Sequence, residues 1–327
     1  MIRFLIRRII SAAAIVLVVS ASVFALFYAL PRDPARAFCG RLCLPENLAI
    51  LRHEMGMDQP VWLQFLEWLK AIVAGRDIPG VGRCPVPCFG YSFAKNEFIW
   101  ETIADRMPVT VSLTAGAAAV MLTVGIGAGM VAAARRGGWL DAVATSTSNI
   151  GGSMQIFLVG PLLVFVLADT LGVLPRPSYT DLTADPGKWF VGLIIPWLSL
   201  SVIFYANYTR LTRSMLLEQL NEDYVRTARA KGLSRRAAFF RFAWRGAMIP
   251  VVTQFGIDLG VLLGGAIVTE TTFGFHGLGQ LVVQAFVNTD LPMLLGVTVI
   301  SASAIVLMNV LVDAMYAVID PRVRLAS

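Results

Sequence analysis

The sequence predicts an all-α membrane protein with six spanning helices, and three observations carry that prediction. Of 327 residues, 57% are hydrophobic and only 15% are charged, with a mean hydropathy of +0.70, outside the range of soluble domains. Six apolar runs are long enough to cross a bilayer, which takes about 20 residues each: Ile9 to Leu30, Val109 to Ala134, Val143 to Ala168, Trp189 to Tyr208, Ala247 to Val268 and Leu291 to Val318. Basic residues are distributed unevenly between the two sides that these runs define.

The first run follows Arg3, Arg7 and Arg8. It is too long for a signal peptide and no small-residue cleavage site follows it, so it reads as a retained anchor. Six spans place both termini on one side. The N-terminus, the segment after the second run, the segment from Arg210 to Arg245 and the C-terminus together hold 16 of the 27 Lys and Arg residues, against Arg176 and Lys188 alone in the loops after the third and fifth runs. By the positive-inside rule the termini of this multi-pass protein are cytoplasmic. The same loops account for the net charge of +6 without nucleic acid. The 28 Gly and 16 Pro fit membrane helices, whose neighbours can satisfy a freed backbone group.

Three regions follow: residues 1–30 with the first span, 31–107 outside the cytoplasm, and 108–327 with five spans and a long cytoplasmic loop at 210–250. In the outer region, Glu46 to Met55 and Val61 to Ala74 read as short helices, the second opening after Pro60 with Trp62, Phe65, Leu66 and Leu69 at helical spacing. They form a cap, read as a structural lid in preference to a ligand site. All four cysteines, Cys39, Cys43, Cys84 and Cys88, lie in it. An oxidising compartment favours disulfides over zinc in the two CxxxC pairs. Local bridges, Cys39 with Cys43 and Cys84 with Cys88, are favoured over cross-pairing by Pro85 and Pro87, and all three connectivities remain open.

Enzymatic chemistry finds little support. The two histidines, His53 and His276, fall on the outer side. HExxH, a nucleophile elbow and GxxxxGK[ST] are absent from the sequence, and the nearest lookalike, Asp185-Pro186-Gly187-Lys188, lacks the first glycine and the hydroxyl. Neither catalytic residues nor a metal site are expected. Asp169, Asp258, Glu270 and Asp313 lie in or near spans. Asp258 stands outside a GxGD-type turn, which argues against an intramembrane protease, while Asp169 and Glu270 are expected at outer helix ends within reach of water. Asp258 and Asp313 are read as facing the bundle interior and bonding a neighbouring helix, with a place on the transport path as the alternative. The third span opens with Thr145, Ser146, Thr147, Ser148, Asn149, Gly151, Gly152 and Ser153, too polar to face lipid. Close packing or a wet path explains this, and Ser148, Asn149, Ser153 and Asp258 are the pathway candidates.

The loop from Arg210 to Pro250 is too long for a bare connector. Asp223 is expected to cap a short helix from Tyr224 to Lys231, Gly232 to end it in a left-handed conformation, and Ser234 to cap a second helix toward Trp244. Ala228 and Ala230 are expected to keep one flank low for a partner surface, with Arg226, Arg229 and Lys231 supplying charge. The bland reading is an interfacial amphipathic helix.

The run Asp223-Tyr224-Val225-Arg226-Thr227-Ala228-Arg229-Ala230-Lys231-Gly232-Leu233-Ser234, closing at Ala247-Met248-Ile249-Pro250, resembles the EAA loop of binding-protein-dependent ABC importer permeases, specifically the B-type subunit of dipeptide, oligopeptide and nickel systems. Arg7-Arg8, Leu30-Pro31-Arg32-Asp33-Pro34, Met107-Pro108-Val109-Thr110 and Asp320-Pro321-Arg322-Val323-Arg324 extend the likeness over nearly the whole chain. Glu270-Thr271-Thr272-Phe273-Gly274-Phe275-His276-Gly277-Leu278-Gly279 is similar to that family's outer loop before the last span, with His276 where proline is usual. The segment from Gly82 to Gly90 has no expected counterpart. At the general EAA consensus the chain carries Arg226, Thr227 and Ala228, so only the second alanine and Gly232 are kept.

The resemblance implies a type I ABC importer permease fold with the cap added after the first span. It implies a translocation subunit rather than an enzyme, paired with a homologous second permease, two cytoplasmic ATPases and an extracytoplasmic solute-binding protein, in contact with membrane lipid. ATP and Mg would bind the ATPases alone. Asp223 to Gly232 would couple to the ATPases, and Glu270, Phe273, Phe275, His276, Gly277 and Gly279 would form an outer gate. Di- or oligopeptide is the expected substrate, with nickel chelate, haem or another bulky solute as rivals. An ion-coupled carrier is disfavoured, since no inverted repeat or matched pair of broken helices is evident.

Overall fold

The computed structural model describes residues 2–29, 59–78, 80–92 and 94–319. Cys39, Cys43, the expected helix from Glu46 to Met55 and the runs Leu30 to Pro34 and Asp320 to Arg324 lie outside the described residues, as does the side chain of Asp313. The chain divides into two compact units. Of the described residues, one unit comprises 109–275 with 2–6 and 307–319, and the other those between 7 and 108 with 276–306.

Eleven helices are described: α1 Ile2–Ala29, α2 Val61–Ala74, α3 Ile99–Ala134, α4 Trp139–Ser153, α5 Ile156–Thr170, α6 Pro186–Asn221, α7 Asp223–Ala230, α8 Arg235–Ala238, α9 Trp244–Phe273, α10 Leu278–Val287 and α11 Leu291–Ile319. Five described stretches are long and apolar enough to cross a membrane, and α4 with α5 makes a sixth if the pair is counted as one span.

That pair corrects the expectation of one continuous helix from Val143 to Ala168. α4 and α5 meet at 110° because Met154 and Gln155 both take extended backbone (ψ 139° and 140°). Gly151 and Gly152, poor helix formers, stand just before Ser153 and this break. Gln155 O then accepts the N–H groups of Leu158 and Val159 and starts the second arm.

In the larger unit α6 is the central packing partner, lying against α3, α4, α5 and α9. Pro186 occupies its first turn, and Asp185 caps it by accepting from the N–H of Gly187 at 3.1 Å and Lys188 at 3.0 Å. Its 36 residues make a rod of about 54 Å, well beyond the roughly 30 Å hydrocarbon core, so the helix carries its packing surface past the bilayer. Leu113, Met121, Leu193, Leu200, Tyr208, Leu262 and Ala266 form the buried core. Small residues on α3 let α6 approach closely: a Cβ on Gly116 would meet the Trp197 ring at 2.0 Å, and one on Gly129 would meet Thr209 O at 2.8 Å. Trp197 Nε1 donates to Ser112 O at 3.0 Å across the same contact.

The smaller unit joins α2 and two antiparallel hairpins, unanticipated by the sequence, to α1, the start of α3, α10 and the first part of α11. β1 Arg76–Ile78 pairs with β2 Gly82–Cys84, and β3 Tyr91–Ser92 with β4 Glu97–Phe98. Cys84 and Cys88 are disulfide-bonded beside the first hairpin. The core contains Phe24, Trp68, Phe89, Ile99, Ile103, Leu281 and Met293, and Trp68 Nε1 donates to Phe89 O at 3.3 Å. Phe65 and Leu69 pack against it, while Trp62 and Leu66 stay exposed, so half of the expected apolar stripe on α2 is unburied. Ser92 Oγ donates to Asp290, whose other oxygen accepts from Met293 N and caps α11.

Candidate functional site: a short anchored helix and a buried carboxylate

The segment from Asn221 to Ala247 is built in one unit. α6 ends at Asn221, Glu222 turns extended, and α7 begins at Asp223. The N-cap position therefore belongs to Glu222 rather than the expected Asp223, and it makes no side-chain capping bond. Asp223 stands in the first turn, where a carboxylate favours the positive end of the helix dipole. It meets Arg226 at 3.9 Å, with both side chains so exposed that the pair adds little.

Eight residues do not hold a helix unaided in water, so α7 depends on tertiary anchors. Val225 and Ala228 form its buried stripe, and Val225 enters a core with Ala133, Leu216, Ala238, Ala243 and Ala247. Ala228 thus faces the body of the protein, correcting the expectation that it lowers an outer flank. Its small side chain is what lets the helix lie close to that body. Arg226, Thr227, Arg229, Ala230 and Lys231 make the exposed side.

The C-terminus of α7 follows from Gly232. Its φ is +88°, where other residues are strained, and this turns the chain so that Leu233 N reaches Ala228 O at 3.3 Å and Gly232 N reaches Arg229 O at 3.0 Å. Ser234 Oγ then accepts from Ala237 N at 3.3 Å and caps α8. A π-helical turn, Phe239–Ala243, carries the chain without interruption into α9.

Two further ties were not foreseen from the sequence. Tyr224 Oη donates to Gln219 Oε1, joining α7 to the end of α6. Gly246 on α9 leaves room for that bond, since a Cβ there would lie 2.1 Å from Gln219 Oε1 and 3.0 Å from Tyr224 Oη. Burial holds the Tyr224 phenol above its ordinary value, so it remains a donor. Higher on α6, Arg213 grips Asp141 of α4 with two bonds of 2.6 and 2.8 Å, and Asp141 also accepts from Gly137 N at 3.0 Å. No local pattern announces a pair 72 residues apart.

At the other end of α9, Glu270 is fully buried, correcting the expectation that water reaches it. Thr110 Oγ1 of α3 donates to its Oε1 at 2.6 Å. Gly274, at φ +70°, closes α9 and lets Phe275 N return to Glu270 O at 2.8 Å. Phe275 is buried against Phe273 and Tyr179, with ring centroids 6.1 and 6.4 Å away. In the smaller unit His276 is exposed, and Gly277 and Gly279 are buried at the start of α10.

The pathway candidates separate. Ser148 is buried and donates to Ala206 O at 2.8 Å, tying α4 to α6. Asp258 is buried, accepts from Gln254 Nε2 at 2.9 Å on its own helix, and has the fully buried Tyr208 of α6 beside it. Asn149 and Ser153 share the exposed side of α4, where Ser153 Oγ donates to Asn149 O at 3.0 Å. Asp169 is partly exposed and pairs with Arg176.

Residues 1–114 match the family described as the N-terminal part of the binding-protein-dependent transport system membrane component, and residues 125–325 match the binding-protein-dependent transport system inner membrane component. Relatives cover almost the whole chain. A probable peptide ABC transporter permease protein, y4tP, of Sinorhizobium fredii is 35% identical over 98% of this chain and 99% of its own length. A putative peptide transport system permease protein of Brucella abortus is 36% identical over 98% of both, and the dipeptide transport system permease protein DppB of Escherichia coli is 33% identical over 99% of both. Among solved structures, a chain of the MetNI methionine ABC transporter in inward-facing conformations shares the fold over 68% of this chain and 94% of its own, with a TM-score of 0.51 at 18% identity. The chain is a permease subunit and not an enzyme, and it belongs to the family of binding-protein-dependent transport system inner membrane components.

Proposed function

We propose that this chain lines one half of the translocation path of an ATP-driven peptide importer. The observation that carries the reading is α7, a short helix whose inner stripe is buried and whose outer side is polar and basic, anchored to both α6 and α9. Such a helix is suited to receive a push from another subunit and deliver it to two long helices as a rigid body. The names of y4tP and DppB support peptide as the solute.

In this reading a homologous permease supplies the other half of the path, two cytoplasmic ATPases bind ATP and Mg and engage Asp223 to Gly232, and a solute-binding protein delivers peptide from outside. The termini and residues 210–250 are cytoplasmic, residues 31–107 form the outer cap, and residues 108–327 the permease core. Asn149 and Ser153 line the path, while Glu270 to Gly279 closes its outer end.

Labelling in intact cells tests the orientation: an impermeant maleimide should modify Ala184→Cys and spare Ser234→Cys. Crosslinking of Thr227→Cys to the ATPases, together with uptake of di- and oligopeptides by the reconstituted complex, tests the assembly. Uptake confined to nickel chelate or haem would replace peptide as substrate, and labelling of Ser234→Cys alone would overturn the topology.

A further inference from the structure

The junction between α8 and α9 carries a surface the coupling role does not use. Buried positions along it are Ala238, Ala243 and Ala247, which belong to the core beneath α7. Exposed on the opposite side are Arg236, Phe240, Arg241 and Arg245. The alternation follows from the π-helical turn Phe239–Ala243, which widens the spacing of buried positions to five residues and leaves two neighbours, Phe240 and Arg241, on the outer side together. Arg236, Arg241 and Arg245 form no ion pair with a described residue, and Phe240 is 59% exposed between them.

The stripe occupies the start of the candidate span Arg235–Leu263, ahead of its apolar run. The apolar run begins at Ala247, so at 1.5 Å per residue Arg245 lies about 3 Å before it, Arg241 about 9 Å and Arg236 about 16 Å. The polar layer on each side of a bilayer is about 5–8 Å thick. Arg245 falls within that layer. Arg241 enters it by the length of its side chain, whereas Arg236 stands about 8 Å beyond its outer edge. At this depth the guanidinium groups of Arg241 and Arg245 fork onto phosphates.

We propose that Arg241 and Arg245 form a binding stripe for anionic phospholipid headgroups at the foot of α9, with Arg236 adding positive charge just outside the headgroup layer. Unpaired cations of one sign select phosphatidylglycerol over phosphatidylcholine, whose headgroup is neutral. The stripe adjoins the core that seats α7, so bound lipid stiffens the base on which the coupling helix rests.

The test is native mass spectrometry of the purified full-length chain released from micelles holding equal phosphatidylglycerol and phosphatidylcholine. The wild type should retain phosphatidylglycerol preferentially, and that preference should fall about fivefold for each arginine removed, or about 25-fold in Arg241→Gln/Arg245→Gln. Arg83→Gln, on the β2 strand, should leave it unchanged, and Arg241→Lys should keep most of it. If the double variant does not fold, Arg245→Gln alone should still show the fivefold loss. A double variant that keeps the full preference overturns the proposal. So does one that keeps the preference but no longer holds ATPase subunits in the purified complex, which would make the stripe a protein-docking surface.

Discussion

Adding one methyl group at Gly246 should uncouple the transporter without unfolding it. The new Cβ would stand 2.1 Å from Gln219 Oε1 and 2.7 Å from its Cδ. A carboxamide on a flexible stem swings away more cheaply than the backbone moves, and in leaving it gives up the hydrogen bond from Tyr224 Oη. One such bond is worth about 1 kcal/mol net. Alanine inside α9 regains about as much through its helix propensity over glycine. Global stability should therefore change little, while α7 loses a tether to α6 and its seated fraction shifts by about fivefold against the unseated one. The assay is solute uptake per ATP hydrolysed by the complete complex in proteoliposomes, with protein amount checked in the membrane. Gly246→Ala should lower that ratio about fivefold, in line with the lost bond. Gln219→Ala should lower it to a similar degree, and the double variant should do no further harm, since both changes remove the same bond. A normal ratio in Gly246→Ala, or additive losses in the double variant, would refute the reasoning.

Gly232→Val should cost about 1 kcal/mol or more at φ +88°. Because no atom lies within 4 Å of the added Cβ, the defect is one of backbone alone, and Gly232→Asn should be milder in the same uptake assay. Arg213→Ala leaves the Asp141 carboxylate buried without its cation and should destabilise the protein by about 3 kcal/mol. Asp141→Asn/Arg213→Gln should regain most of this in detergent melting curves, and an unchanged melting temperature in Arg213→Ala would contradict the pair's role. Asp185, bonded by the N–H groups of Lys188 and Gly187, is held below its ordinary value of 3.8. Its contribution is whole above that value and is lost as pH falls through the lowered one, so the gap in melting temperature between wild type and Asp185→Ala should close in acid below about pH 4. Replacing Cys84 and Cys88 by serine should lower cap stability more than it lowers the intrinsic transport rate, compared by melting and initial uptake.

Much of the segment from α7 to α8 is legible in the sequence because it obeys local rules. Gly232 ends α7 through a conformation that glycine adopts freely, and Ser234 caps α8 through its own hydroxyl three residues before the N–H it binds. The direction in which Ala228 faces is not local. It depends on α7 lying against α6, which buries Ala228 with Val225 in the inner stripe instead of leaving it beside Ala230 on an outer flank. Glu270 was misread for a related reason: its place at the end of an apolar run suggested water, and only the approach of α3 brings Thr110 over it.

The sequence by itself determined that this is a membrane protein with several spans, where the apolar runs lie, how its basic residues divide, and where α7 stops, since each follows from hydropathy, charge or one residue's backbone preference. Only the tertiary structure decided the bend between α4 and α5, the inward turn of Ala228, the closed environment of Glu270, and the groupings Gln219–Tyr224–Gly246 and Asp141–Arg213. The physical reason is range: hydropathy and dihedral preference act within a few residues, whereas hydrogen bonds and close packing join groups that the chain separates and the fold alone brings together.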